Sequence, residues 1–141
     1  MLLDRLVNEV LKGLPVGNTE LRLTDLNVEL NTDSSLLAIA LRRIIENALF
    51  YLRPDSPSRI IIDHVGVPGM HKITVSDSGT GIPKKELESI LTMFYRASVD
   101  SRGSGMGLYI AKKAVEKLRS RIVVASVEGE GSSFSIFVPL N

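Results

Sequence analysis

The chain has 141 residues, 44% hydrophobic and 23% charged, a balance that fits one globular domain spanning residues 1–141 and argues against disorder. With 17 Lys and Arg against 16 Asp and Glu, and only three Tyr and four Phe, it has neither the basic excess nor the stacking platform of a nucleic-acid binder. The absence of Cys, with His64 and His71 the only histidines, excludes disulfides, thiolate zinc sites, Cys nucleophiles and His-rich metal sites, and no apolar run nears the roughly 20 residues of a membrane span.

The start, Met1-Leu2-Leu3-Asp4-Arg5, lacks the charged-then-apolar order of a signal peptide, so the expectation is a cytoplasmic domain without membrane contact. Leu3, Leu6, Val7, Val10, Leu11 and Leu14 recur at helical spacing, and Gly13 with Pro15 ends that pattern. Leu21-Arg22-Leu23 and Val28-Glu29-Leu30 alternate as strands do, with Asp25 and Asn27 as turn residues between them. Asp33-Ser34-Ser35 offers N-caps to a second helix, whose Leu37, Leu41, Ile44, Ile45, Ala48 and Leu52 form one apolar stripe. Arg43, Asn47, Phe50 and Tyr51 fall on another flank, and a solvated helical Asn is the ordinary reading of Asn47.

Two prolines break the chain at Arg53 to Ser58. Arg59 to Val65 and Lys72 to Ser76 read as a hairpin turned by Gly66-Val67-Pro68-Gly69, with His64 and His71 as sheet-edge or surface residues. After Pro83, Leu87, Ile90, Leu91 and Phe94 trace a short helix; Tyr95 to Ser104, with Val99 as its one apolar anchor, reads as a mobile lid. Gly103-Ser104-Gly105-Met106-Gly107-Leu108 opens a further helix, with Ala111, Ala114, Val115 and Leu118 inward and Lys112, Lys113, Lys117 and Arg119 toward water. Ile122 to Ala125 and Phe134 to Val138 make a second hairpin around Glu128-Gly129-Glu130-Gly131-Ser132. About five strands and three main helices give a two-layer α/β sandwich, its sheet mixed and mostly antiparallel, with the helices on one face.

The chemistry centres on Asp77-Ser78-Gly79-Thr80-Gly81-Ile82. A strand ends in a carboxylate, and two glycines then let the backbone approach a flat ligand without a Cβ in the way. An ionised aspartate only accepts hydrogen bonds, which suits an exocyclic amine such as N6 of adenine. The plain alternative is an Asp-Gly turn between elements. Glycines from Gly103 to Gly107 bare backbone N–H groups at the positive end of a helix, where phosphate oxygens bind, although such a run also serves as a flexible linker.

In this order, Ile45-Glu46-Asn47-Ala48, Asp77 to Ile82, Phe94-Tyr95-Arg96-Ala97 and Gly103 to Leu108, with Gly129-x-Gly131-Ser132 trailing, resemble the N, first glycine, F and second glycine boxes of bacterial sensor histidine kinase catalytic domains. That family belongs to the GHKL group of ATPases, and the resemblance implies its Bergerat fold and two cofactors, ATP and Mg²⁺. It implies that Asp77 binds the adenine amine, with Gly79, Gly81, Ile82 and a hydroxyl of Ser132 or Ser133 around the base. Asn47 binds Mg²⁺, and Tyr51, Arg96 and the amides of Gly105, Met106, Gly107 and Leu108 hold the phosphates, with Phe94 and Gly103 completing their boxes. The implied reaction is phosphoryl transfer from ATP to a histidine, with Asn47 and Arg96 as the catalytic pair, and with a phosphoacceptor domain of the same kinase and a response regulator as partners.

Two positions depart from the family pattern. Arg43 stands where Asn or His is common, and Phe50 where Lys or Arg is frequent. Arg43 either supplies the phosphate contact that Phe50 cannot, or repels Mg²⁺ and weakens catalysis. The family's phosphoacceptor motif is matched by neither Asp63-His64-Val65 nor Met70-His71-Lys72. The expectation is a monomeric piece of a longer kinase that binds ATP without phosphorylating itself. A degenerate nucleotide-sensing or docking module and an anti-sigma-factor-type serine kinase are the alternatives.

Overall fold

A computed structural model describes residues 1–53, 58–95 and 105–140, except for the side chains of residues 94, 95, 105 and 106. Four helices, α1 (Leu3–Lys12), α2 (Ser34–Phe50), α3 (Lys84–Tyr95) and α4 (Gly105–Lys117), lie with five strands, β1 (Glu20–Thr24), β2 (Arg59–Val67), β3 (Met70–Asp77), β4 (Arg121–Val127) and β5 (Gly131–Pro139). The strands form one sheet in the order β1-β2-β3-β5-β4. β1 runs parallel to β2, and every other pairing is antiparallel. This is the mixed, mostly antiparallel α/β sandwich that the pattern of elements calls for, with four helices in it.

Period-two alternation decides which sheet face is covered. Ile60 and Ile62 of β2, Ile73 and Val75 of β3, Phe134, Ile136 and Val138 of β5, and Ile122 and Val124 of β4 are all buried. Each such side chain contributes roughly 1.5 to 3 kcal/mol by leaving water. α2 supplies the other half of that core through Leu37, Leu41, Ile44 and Ile45, each fully buried. Asp33 caps this helix by accepting the Leu36 N–H at 3.1 Å, satisfying one of its orphan donors. α4 lies along α2, and α1 packs on α2 through Leu3, Leu6, Val7, Val10 and Leu11.

Several local expectations are corrected. Val28-Glu29-Leu30 is no strand of the sheet: its backbone pairs with the residues that lead into α1, the Leu3 N–H donating to Val28 O at 3.0 Å and the Leu30 N–H to Met1 O at 2.8 Å. β2 continues through Gly66 and Val67, so the hairpin turn is only Pro68-Gly69, with Gly69 at φ +74°. His64 and His71 sit on inner strands, partly buried and facing each other, with His64 Nε2 at 2.9 Å from His71 Nδ1. Burial, then the neighbouring His64, holds the His71 imidazole below its ordinary 6.5. Lys112 does not face water. It is buried, and its ammonium donates to Met93 O at 2.6 Å, where the C-terminal carbonyls of α3 attract a cation. Of the expected lid from Tyr95 to Ser104, Tyr95 is the last residue of α3 and the rest lies outside the described residues.

Candidate functional site

Asp77 closes β3 in the same inward phase as Ile73 and Val75, so the alternation that builds the core carries its carboxylate inside, 8% exposed. Pairing continues the row across the sheet: Ile60 on β2, Asp77, Ser132 on β5 and Ser126 on β4 stand side by side. Asp77 Oδ1 accepts the Gly79 N–H at 2.9 Å. Burial pushes the carboxyl above its ordinary 3.8, partly countered by the N–H groups of Gly79 and Ser132. No cation pairs with it among the described residues.

The loop after Asp77 is held from both sides. A Cβ on Gly79 would meet Tyr51 O at 2.2 Å, and one on Gly81, which has φ +75°, would meet Val127 O at 2.4 Å. Only glycine lets this backbone pass between the end of α2 and the second hairpin. Thr80 N–H donates to Tyr51 O at 2.8 Å and so caps α2, while Gly129 N–H donates to Thr80 O at 2.6 Å. Ile82, 1% exposed, gives its N–H to Ser126 Oγ at 2.8 Å. Ser126 Oγ also lies 2.9 Å from Ser132 Oγ and donates to Gly131 O at 3.2 Å. Ser132 is buried, and Ser133 on the opposite phase is half-buried. Sequence reasoning missed Ser126. The available signal was a hydroxyl in the inward phase of a strand otherwise filled by Ile122 and Val124.

From this loop the site runs back along α2. Asn47 is 7% exposed, and its Nδ2 has no hydrogen-bond partner among the described residues. A solvated helical Asn would not be buried, and a buried N–H donor without a partner costs free energy that an acceptor oxygen on a ligand can recover. Tyr51 is also buried, but its hydroxyl donates to the Glu86 carboxylate of α3. Its carbonyl anchors the glycine loop by accepting the Thr80 N–H. Phe50, on the same flank in sequence, points outward at 71% exposure with its ring edge-on to Tyr51, centroids 5.1 Å apart.

The far end is the head of α4. Gly105, Met106, Gly107 and Leu108 form its first turn, whose N–H groups have no acceptor within the helix. Leu108 is buried at 1% exposure and seats that turn on the core. A Cβ on Gly107 would lie 3.9 Å from Arg43 Cδ, so α2 reaches this turn through Arg43. Asp77, Gly79, Tyr51, Asn47, Arg43 and Gly107 thus follow one another along a single path. Arg96 and Gly103 lie outside the described residues, and of Phe94 only the backbone, in α3, is described.

The donor set fits a nucleotide with a hard cation. One buried Asn amide oxygen suits Mg²⁺, which takes few protein ligands and keeps waters and phosphate oxygens around it. Among the described residues no cluster of three or more His, Cys, Asp or Glu forms an all-protein cage.

A strand-end carboxylate, a clamped glycine loop and a glycine-led helix on a two-layer α/β sandwich define a nucleotide-binding domain of the Bergerat type. The chain belongs to the family of histidine kinase-, DNA gyrase B- and HSP90-like ATPases, whose model matches residues 32–141. It is 36% identical over 90 residues to the sensor histidine kinase WalK of Bacillus subtilis (strain 168), covering 61% of this chain and 14% of WalK. It is 30% identical over 69 residues to the sensor protein RprX of Bacteroides fragilis (strain YCH46), covering 46% of this chain and 13% of RprX. The chain therefore matches about one seventh of the length of these curated relatives. Among solved structures, the mycobacterial sensor histidine kinase MprB superposes with a TM-score of 0.76 at 24% identity, covering 96% of this chain and 93% of that one. The catalytic domain of histidine kinase ThkA gives 0.76 at 20% identity over 99% and 93%. At such identities these two likenesses speak for the fold alone. No helix among the described residues is long and apolar enough to cross a membrane.

Proposed function

We propose that residues 1–141 form the catalytic domain of a sensor histidine kinase, which binds Mg-ATP and presents its γ-phosphate to a histidine on a separate domain of the same kinase. The observation that carries this reading is Asp77, a carboxylate 8% exposed with two backbone N–H partners and no neighbouring cation among the described residues. Burying such a charge is costly and its two backbone N–H partners offset that only in part, whereas an amine donor on a bound base adds a further partner.

In this reading Asp77 accepts the exocyclic amine of adenine over the floor made by Gly79 and Gly81, with Ile82 beneath and the Ser132 hydroxyl beside it, Ser133 being turned to the other face of the sheet. Asn47 holds the cation through its amide oxygen. The N–H groups of Gly105 to Leu108 hold the polyphosphate, joined by Arg96. Bound Mg²⁺ would neutralise charge on the transferring phosphoryl group. What the chain itself does is position the reactants and exclude water, the main protein contribution to phosphoryl transfer. The proposed partners are the phosphoacceptor domain and a response regulator.

Titration calorimetry with Mg-ATP tests the site. Asp77→Asn should weaken binding by about 1.5 to 3 kcal/mol, the range for a hydrogen bond to a charged group; an unchanged affinity would sink the proposed base reader. Exposed Phe50, a neutral side chain beside the site, favours a second reading, a nucleotide-sensing module without transfer activity. γ-Labelled ATP given to the full-length parent chain separates these two and the serine-kinase alternative. Label on a histidine supports the kinase, label on a serine the serine-kinase reading, and no label the sensing module.

A further inference from the structure

Positive charge on the inner flank of α2 lies at one place. Arg43 reaches the first turn of α4, its Cδ lying 3.9 Å from where a Gly107 Cβ would stand. Its only ion pair among the described residues is with Glu46, Nη1 to Oε1 at 3.3 Å, and the two side chains are 39% and 38% exposed. Such a half-exposed pair is weak and readily exchanged. One turn onward Asn47 Nδ2 is buried without a partner among the described residues, while Phe50 is turned to solvent and carries no charge.

From these positions we infer that Arg43 is the phosphate-holding cation contributed by α2, and that Phe50 takes no part in phosphate binding. The inference rests on the proposed nucleotide site. The guanidinium leaves Glu46 for the terminal phosphate oxygens, whose other side meets the N–H groups at the head of α4. Its planar fork of donors matches two phosphate oxygens at once, which a lone ammonium does not. Helix dipole and guanidinium act on the same oxygens, so the effect falls on the distal phosphates and leaves the base end untouched. The competing possibility, that Arg43 repels the cation held by Asn47, predicts the opposite sign.

The test is calorimetry of the domain with Mg-ATP and, separately, with AMP, for wild type, Arg43→Gln, Arg43→Lys and Phe50→Ala. Arg43→Gln should lose at least about tenfold in affinity for Mg-ATP, as expected for a lost charge-assisted hydrogen bond, and bind AMP as wild type does. Arg43→Lys should recover part of the loss, and Phe50→Ala should stay within about twofold of wild type, as befits a side chain outside the contact. Unchanged or tighter Mg-ATP binding by Arg43→Gln would overturn the inference, tighter binding by way of repulsion. Equal losses for ATP and AMP would overturn it too, by showing a structural defect. A wild type that binds AMP but not Mg-ATP more tightly removes this inference alone, whereas one that binds no adenine nucleotide removes the nucleotide reading with it.

Discussion

At the strand end of the site, the loop from Asp77 to Ile82 already has its backbone groups engaged: Gly79, Thr80 and Ile82 donate to Asp77, Tyr51 and Ser126, and Thr80 O accepts from Gly129. At the helix end, Asn47 Nδ2 has no partner among the described residues, and Arg43 holds only a half-exposed carboxylate. The strand end is a finished mould, and the helix end is a set of polar groups still open to a partner. A mould discriminates by shape and costs little to bind into; loosely held charges supply strength that depends on what arrives.

Breaking the mould should have the largest effect. Gly131 sits at φ +134°, and a Cβ there would meet Asp77 O at 2.2 Å, so Gly131→Ala combines backbone strain with a clash against backbone. Thermal denaturation should show a loss of roughly 3 kcal/mol or more, a fall in Tm of about 10 °C. Gly66→Ala, where an added Cβ meets nothing within 4 Å among the described residues, should stay within about 0.5 kcal/mol of wild type by the same measurement.

Ser126→Ala leaves the Ile82 N–H without its acceptor and removes the hydroxyl that joins Ser132 and Gly131. Chemical denaturation should register about 1 to 3 kcal/mol, the cost of an unsatisfied buried donor. A neutral result would show that the loop does not depend on the second hairpin.

A smaller effect sharpens the comparison by pH. Because burial raises the Asp77 carboxyl above its ordinary 3.8, the folded chain binds that proton more tightly than the unfolded chain does. Stability contributed by this group is therefore full below the ordinary value, declines as pH climbs through it toward the raised one, and is flat beyond. Asp77→Asn removes the decline. The Tm of the variant relative to wild type should rise from about pH 3 to neutrality, by a few degrees, even as nucleotide affinity falls. A constant difference across that range would mean the carboxylate is not destabilised by burial. Smallest of all, Phe50→Ala at the open end should change stability by no more than about 0.5 kcal/mol in the same melts, because its ring is already in water.

Much of this plan is legible in residue order because its causes are local. Helical spacing marks the stripe of α2 and the face of α1. Alternation places Asp77 in phase with Ile73 and Val75, and Gly79 and Gly81 announce a backbone that something approaches closely. What approaches is decided by distant segments: Tyr51 O presses on one glycine and Val127 O on the other, and neither is near in sequence. The same holds for Lys112, whose place in a helical wheel pointed to solvent until the end of α3 was laid across it, and for Val28 to Leu30, an alternating run that found its partner in the lead-in to α1. Residue types and their period settled by themselves most of the helices and strands and which face of each is apolar, since those follow from backbone geometry and the transfer of apolar groups out of water. Only the packing of α2 against α4 and the sheet decided that Asn47 is buried, Phe50 bare and Arg43 set against Gly107, because neighbours on one helical flank differ only in what comes to rest against them.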